Sequence, residues 1–216
     1  MSLDALLRPK SIAILGASER PSIGRALIAS AGRIGFEGKL YPINPKYDEI
    51  LGHKCYPSVE ALPEAPDVVA FCVSYTRILE NFRPVADKGA RAVAIFDGGF
   101  AERGDEGARL QSEIVGICRE SNILLNGPNC MGVLNPASKS SVYIQEVRDA
   151  TGLSGNVGLI SQSGSICIGM VADIRRFGYS HVVSSGNEAL IGSAAYMEAL
   201  IDDPASPLSL AEWAAR

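Results

Sequence analysis

Two stretches of the chain place glycine and serine where an apolar run gives way to a helical pattern, an arrangement suited to holding an anion. The first is "AILGASERPSIGR", residues 13–25. Amide N–H groups at a helix start, with the helix dipole behind them, favour phosphate. Gly16 allows a sharp turn and close approach of a ligand. Ala17 and Ser18 are small, Ser18 or Ser22 can donate a hydroxyl, and Gly24 lets the helix pack close to the strand. The spacing is not that of a dinucleotide fingerprint, because G-x-G-x-x-G needs a glycine between Gly16 and Gly24 and none is present. That fingerprint also wants an acidic residue near the end of the second strand. Here that strand ends in "YPINPK", with Asn44, Pro45 and Lys46, and a lysine suits a phosphate better than a ribose diol. NAD is therefore disfavoured twice over, and a structural turn that holds nothing stands as the alternative.

The second stretch is "SQSGS", residues 161–165, again between a strand pattern and a helix pattern. Its amides point at an anion by the same logic, or Ser163 is simply an N-cap. Other chemistry is thin. Five cysteines (Cys55, Cys72, Cys118, Cys130 and Cys167) form no C-x-x-C pair, which suggests reduced thiols in a cytoplasm and no zinc site. Cys130 and Cys167 have no histidine paired with them in sequence, and free cysteines usually behave as small buried hydrophobes. The histidines are His53 and His181.

The elements that position these turns alternate regularly. Apolar runs "SIAILGA", "GKLYPINP", "DVVAFCV", "RAVAIF" and "NILL" read as five strands, with helices expected over residues 23–34, 75–90 and 106–121. Gly35 stops the first helix, and Pro84 is expected to kink the second or end its first part. Strand–helix alternation with short loops predicts a parallel, doubly wound sheet with right-handed crossovers. The pattern lapses over residues 137–154, a linker or hairpin. A second series then begins: "NVGLIS" strand, helix over 164–177, "HVVSSG" strand beginning at His181, helix over 191–201. The tail "DDPASPLSLAEWAAR" supplies no clear next strand. The expected organisation is α/β: a complete domain over 1–136, the linker or hairpin, and an incomplete second domain over 155–216.

The totals agree with this reading. With 47% hydrophobic residues, 6% aromatic and 22 glycines in 216, the chain suits an α/β protein with many tight turns better than a β-sandwich. A net charge of −4 and the lack of a basic stripe give no reason to expect nucleic acid. No run reaches the ~18 apolar residues of a membrane span. The first residues, interrupted by Asp4, Arg8, Pro9 and Lys10, make a poor signal peptide.

The motifs "ILGASERPSIG", "LYPINPK", "ILGHKCYPSV", "GGFAERGDEG", "LNGPNCMGVLN", "GNVGLISQSGS" and "VVSSGNEA", in that order, resemble those of the ADP-forming (NDP-forming) acyl-CoA synthetases, relatives of the succinyl-CoA synthetase alpha subunit. The resemblance spans residues 9 to about 204. It implies a Rossmann-like CoA-binding domain, then a flavodoxin-like domain, with an ATP-grasp module in the same full-length chain or a partner subunit. The implied reaction interconverts acyl-CoA, ADP and phosphate with acid, CoA and ATP through an acyl phosphate and a phosphohistidine. ATP or ADP with magnesium would belong only to the ATP-grasp module.

Carried onto this sequence, the resemblance implies that Gly16, Ala17, Ser18, Ser22, Ile23 and Gly24 cradle the phosphate-rich end of CoA, with Asn44 and Lys46 beside it. Val73, Ser74 and Tyr75, with Gly98, Gly99 and Phe100, would line the nucleotide and pantetheine. Asn129 and Cys130 would sit near the thiol. Ser161, Ser163, Gly164 and Ser165 would face a phosphate carried by the catalytic histidine. That histidine lies in a segment these residues do not include, so the chain is expected to bind without turning over. "VSYT" stands where relatives often have proline after the valine, and "FDGGF" where Ser, Thr or Ala often precedes the second glycine. Asp97 would repel a CoA phosphate unless turned away. Uncovered apolar faces of the second domain predict association with itself or with a missing partner. A stand-alone CoA-binding regulatory protein and an NAD(P)-dependent oxidoreductase are the competing readings.

Overall fold

A computed structural model describes residues 2–172 and 177–203 in full, and 208–212 as backbone. Helix α1 (Asp4–Leu7) leads into β1 (Ser11–Leu15) and α2 (Ile23–Ile34). Strand β2 (Lys39–Ile43) is followed by a small hairpin, β3 (Glu49–Ile50) and β4 (His53–Lys54). Next come β5 (Val68–Phe71), α3 (Ile78–Asp87), β6 (Ala92–Ile95), α4 (Asp105–Glu120) and β7 (Leu124–Asn126). The remainder is β8 (Gly132–Asn135), β9 (Ser140–Tyr143), β10 (Ser154–Ser161), α5 (Gly164–Ala172), β11 (Tyr179–Ser184), α6 (Ser193–Ile201) and β12 (Leu208–Glu212).

The first sheet has the order β2-β1-β5-β6-β7 and is parallel throughout, a Rossmann-like layer with helices on both faces. Its inner strands β1, β5 and β6 are buried along their whole length and nearly all apolar because both faces are covered. Ile12 and Ile14 of β1 join the helices α1 and α2, whereas Ala13 and Leu15 join α3 and α4. Gly35 ends α2 in the left-handed region at φ 74°, as glycine does most cheaply.

The second sheet has the order β12-β10-β11-β8-β9. Strands β12, β10 and β11 are parallel, and the β8–β9 hairpin adds antiparallel to β11. Val133, Val142, Ile160 and Val183 of this sheet share a core with α1, α2 and β1, so the two layers are packed together.

Three expectations are corrected. Helix α3 runs through Pro84 to Asp87, and the Tyr75–Arg77 turn before it is 3-10. The tail does supply a strand: β12 pairs in register with β10, Val157 opposite Leu208. Its "LSLAE" is short and follows two prolines, so periodicity alone did not separate it from a loop. The segment between β2 and β5, on which sequence made no reading, carries the β3–β4 hairpin. Strand β11 begins at Tyr179, two residues before His181. The last part of the helix expected over 164–177 falls partly on residues 173–176, outside the described residues.

Candidate functional site

In open α/β sheets ligands bind beyond the carboxyl ends of the strands, where the strand order reverses. Here the reversal lies between β1 and β5, and Gly16 sits on it. Its φ is +88°, and a Cβ on it would stand 2.5 Å from the Cys72 carbonyl oxygen and 2.8 Å from Val73 Cγ1. The loops after β1 and β5 thus meet at a bare backbone. Gly24 serves the packing expected of it, since a Cβ there would reach Ala17 Cα at 2.9 Å.

The start of α2 carries no negative charge of its own. Ser22 is the N-cap, its Oγ accepting from the Arg25 amide at 3.2 Å, and no acidic residue occupies the first turn. The Glu19 carboxylate is engaged elsewhere, accepting from the Leu51 amide at 2.9 Å. Ile23 is 39% exposed at the mouth of the turn. Asn44 braces the loop: its Nδ2 donates to the Ala17 carbonyl (2.7 Å) and its Oδ1 accepts from the Lys46 amide (3.0 Å). Ser18 lies 3.3 Å from the Tyr47 hydroxyl. Lys46 is exposed and has no ion pair among the described residues.

The loop after β6 completes one wall. Asp97 is turned away from the crevice, accepting from the Tyr75 amide at 2.7 Å. The Tyr75 ring lies against Gly99, where a Cβ would come within 2.7 Å of it, and the Arg103 guanidinium stands 5.2 Å above that ring. Val73 is half-buried, and the exposed Ser74 hydroxyl pairs with Thr76 at 2.9 Å. Phe100 is fully buried in the core of the first sheet, so its ring faces the interior, not the crevice. Its amide and that of Gly99 donate to the Glu102 carboxylate, at 3.1 and 2.5 Å.

Between the two sheets lies a cavity of about 430 Å³ lined by Asn129, Cys130 and Met131 from one side and Ser163, Gly164 and Ser165 from the other. The thiol-end and phosphate-end candidates are therefore neighbours. Ser161 is buried beneath the turn and holds it: its hydroxyl donates to the Ser163 carbonyl (3.0 Å) and accepts from the Ser163 amide (3.1 Å). The first amides of α5 have no partner within the helix, and no acidic residue sits there. A Cβ on Gly164 would meet Met131 Cγ at 2.5 Å, so glycine keeps this wall narrow.

Cys130 is a structural thiol. Burial pushes its pKa up to about 12; the sulfur donates to the Ile95 carbonyl (3.3 Å) and accepts from Asn126 Nδ2 (3.1 Å). Asn126 also donates to the Ser184 carbonyl and accepts from the Tyr196 hydroxyl, tying the two sheets beneath the cavity. His181 is fully buried beside Asn135 and Asp203. Burial lowers its pKa to about 4, outweighing the Asp203 charge that raises it, so the ring is neutral at pH 7. His53 lies in the β3–β4 hairpin.

Several cavity and loop residues were not singled out from sequence: Phe96, Met131, Ile144, Gln162, Glu102 and Asn187. The "VVSSGNEA" motif was visible, but the loop it forms takes its meaning from contact with residues 127–130. The Asn187 amide donates to the Pro128 carbonyl at 2.8 Å, and a Cβ on Gly186 would stand 2.5 Å from the Asn129 carbonyl oxygen. Among the described residues no helix is long and apolar enough to cross a membrane, and no cluster of His, Cys, Asp and Glu could hold a metal.

A CoA binding domain family matches residues 10–136, and a succinyl-CoA ligase like flavodoxin domain matches 154–211. A trans-feruloyl-CoA synthase from an unknown prokaryotic organism is 37% identical over 93% of this chain and 29% of its own length. The alpha subunit of an ADP-forming acetate–CoA ligase I from Pyrococcus furiosus is 35% identical, over 94% of this chain and 45% of its own. Among solved structures, a dinucleotide forming acetyl-coenzyme A synthetase from Ca. Korarchaeum cryptofilum, in complex with phosphate and ADP, superposes with a TM-score of 0.90. It is 31% identical and covers 97% of this chain and 45% of its own. The chain thus spans less than half the length of these relatives.

Proposed function

Because the chain belongs to the CoA-binding domain family, joined to a succinyl-CoA-ligase-like flavodoxin domain, we propose that it is the CoA-binding portion of an ADP-forming acid–CoA ligase. The reaction is acyl-CoA, ADP and phosphate to acid, CoA and ATP, by way of an acyl phosphate and a phosphohistidine. The observation that carries this reading is the pairing of two helix-start turns, one at the Gly16 crevice and one across the cavity from Asn129. A module that only stored CoA would have no use for the second.

The residues fit CoA on physical grounds. The Gly16 crevice leaves backbone bare where a Cβ would fill it, α2 offers amides with no carboxylate in its first turn, and Lys46 supplies a charge with no ion pair among the described residues. CoA when bound supplies the thiol that accepts the acyl group. Val73, Tyr75, Gly98 and Gly99 line its path, and Asn129 stands where that path reaches the cavity. Ser163 and Ser165 hold a phosphoryl group there through their hydroxyls, joined by the Gly164 and Ser165 amides, while the Ser163 amide stays on Ser161. A helix start is worth ~0.3–1 kcal/mol toward a nearby anion, and ~2 where partly buried, which orients a phosphoryl group without catalysing its transfer.

Neither histidine of this chain suits the phosphoryl carrier, so the phosphohistidine and the ATP-grasp module, with its ATP or ADP and magnesium, belong to other parts of the enzyme or a partner subunit. The acid is left open, since the named relatives act on different ones. A helix apolar on all sides is normally covered; Ile166 of α5 is 38% exposed and Ile201 of α6 68%, which supports docking of that partner or self-association. A cytoplasmic location belongs to the same reading, supported by five cysteines without a disulfide. The test is an amide-shift map of the chain with CoA. Movement of the amides of residues 16–24 and 98–99 supports the proposal, and shifts confined elsewhere overturn it.

A further inference from the structure

The Glu102 carboxylate joins two parts of the molecule that the chain keeps far apart. On one side it accepts from the Gly99 and Phe100 amides through Oε1, at 2.5 and 3.1 Å. On the other, its Oε2 accepts from Asn187 Nδ2 at 2.5 Å, across 85 residues of sequence. Asn187 in turn accepts from Asn129 Nδ2 at 3.4 Å through its own Oδ1. One carboxylate therefore links the glycine loop after β6, the loop after β11, and through it Asn129 on the cavity wall. Burial raises the Glu102 pKa, but these donors outweigh it and hold the carboxyl below its usual range, so it is ionised at neutral pH.

We propose that Glu102 is a positioning residue that, through Asn187, latches the CoA-side loop of residues 98–100 to the wall of the inter-sheet cavity. The glycines make the latch necessary. Gly98 and Gly99 have no side chain to pack, and Gly99 sits at φ +111°, so the loop's geometry depends on where its amides are held. A loop fixed only at its ends would let the nucleotide-side wall and the thiol-side wall drift independently. Binding energy collected at the first would then not orient groups at the second. The effect on CoA rests on the reading of residues 98–99 as CoA contacts, but the latch itself does not.

The hydrogen-bond polarity gives a clean test on the full 216-residue chain. Glu102→Gln keeps an acceptor for the two amides but turns an N–H toward the N–H of Asn187. Asn187→Asp sets two carboxylates against each other. The double variant E102Q/N187D reverses donor and acceptor and restores the bond, while residue 187 still accepts from Asn129. Two readouts are taken: hydrogen exchange of the 98–103 backbone, and CoA affinity by calorimetry. We expect N187D to speed exchange of residues 98–103, in the other sheet's loop, about tenfold. Both single variants should weaken CoA roughly 5-fold or more, the lower range of measured couplings between sites. The double variant should recover both. Unchanged exchange in N187D, or a double variant no better than its parents, overturns the latch. Recovery of exchange in a chain that binds no CoA supports the latch and overturns the CoA reading instead.

Discussion

Gly16 and Cys72 meet backbone to backbone: a Cβ on the glycine would lie 2.5 Å from the cysteine's carbonyl oxygen. This contact closes the crevice between β1 and β5 at the point where strand order reverses, and it forbids a side chain at position 16. Gly16→Val should abolish CoA binding and also destabilise the fold. The φ of +88° alone costs a non-glycine residue ~1–2 kcal/mol, before the clash. Thermal unfolding and CoA titration of the variant read the two effects separately.

Lys46 is exposed and unpaired among the described residues, so its charge can be reversed without disturbing packing. Lys46→Glu should leave the unfolding midpoint unchanged and weaken CoA about tenfold or more, near the ~1.5–3 kcal/mol of a hydrogen bond to a charged group. The difference from the parent chain should shrink as salt is added. Equal affinities at low salt would remove Lys46 from the site.

His181 should make the fold acid-sensitive. Burial brings its folded pKa down to about 4, below the 6.5 of an ordinary histidine. Above pH 6.5 the ring is neutral in both states and its contribution is complete; as pH falls toward 4 the unfolded chain takes up the proton first, and stability is lost. His181→Gln should therefore show a shallower fall in unfolding midpoint between pH 6.5 and 4 than the parent chain. Parallel curves would contradict the buried neutral ring.

Cys130 should resist alkylation. With its pKa pushed up to about 12 by burial and its sulfur bonded on both sides, almost none is thiolate at pH 8. Iodoacetamide mapping of the folded chain should leave Cys130 unmodified until unfolding. Prompt modification would restore it as a reactive group.

Phe71 of β5 and Phe82 of α3 stack at 5.4 Å between the sheet and the helix, both essentially unexposed. Phe82→Ala should cost about 3–5 kcal/mol, the range for deleting a buried aromatic ring. Denaturant unfolding measures it.

Much of the fold was legible because its signals are local. Continuous runs such as "DVVAF" mark strands covered on both faces, and Gly35 marks a helix end by its own backbone freedom. The two turns proposed to hold anions were noticed for the same reason: glycine and serine stand where a strand becomes a helix. What sequence could not supply was partnership. Nothing in "GVLN" says that β8 leaves the first sheet to pair with β11. Phe100 could as well have lined a ligand as the core, and only the fold turns its ring inward. Glu102 reads as one more surface charge until Asn187 is brought to it across 85 residues.

The most direct measurement is a calorimetric titration of the chain with CoA, with NAD and NADP run in parallel. We predict saturable CoA binding that is lost in Gly16→Val and weakened in Lys46→Glu, with no comparable binding of either dinucleotide. Binding of NAD or NADP but not CoA would contradict it and return the fold to the oxidoreductases.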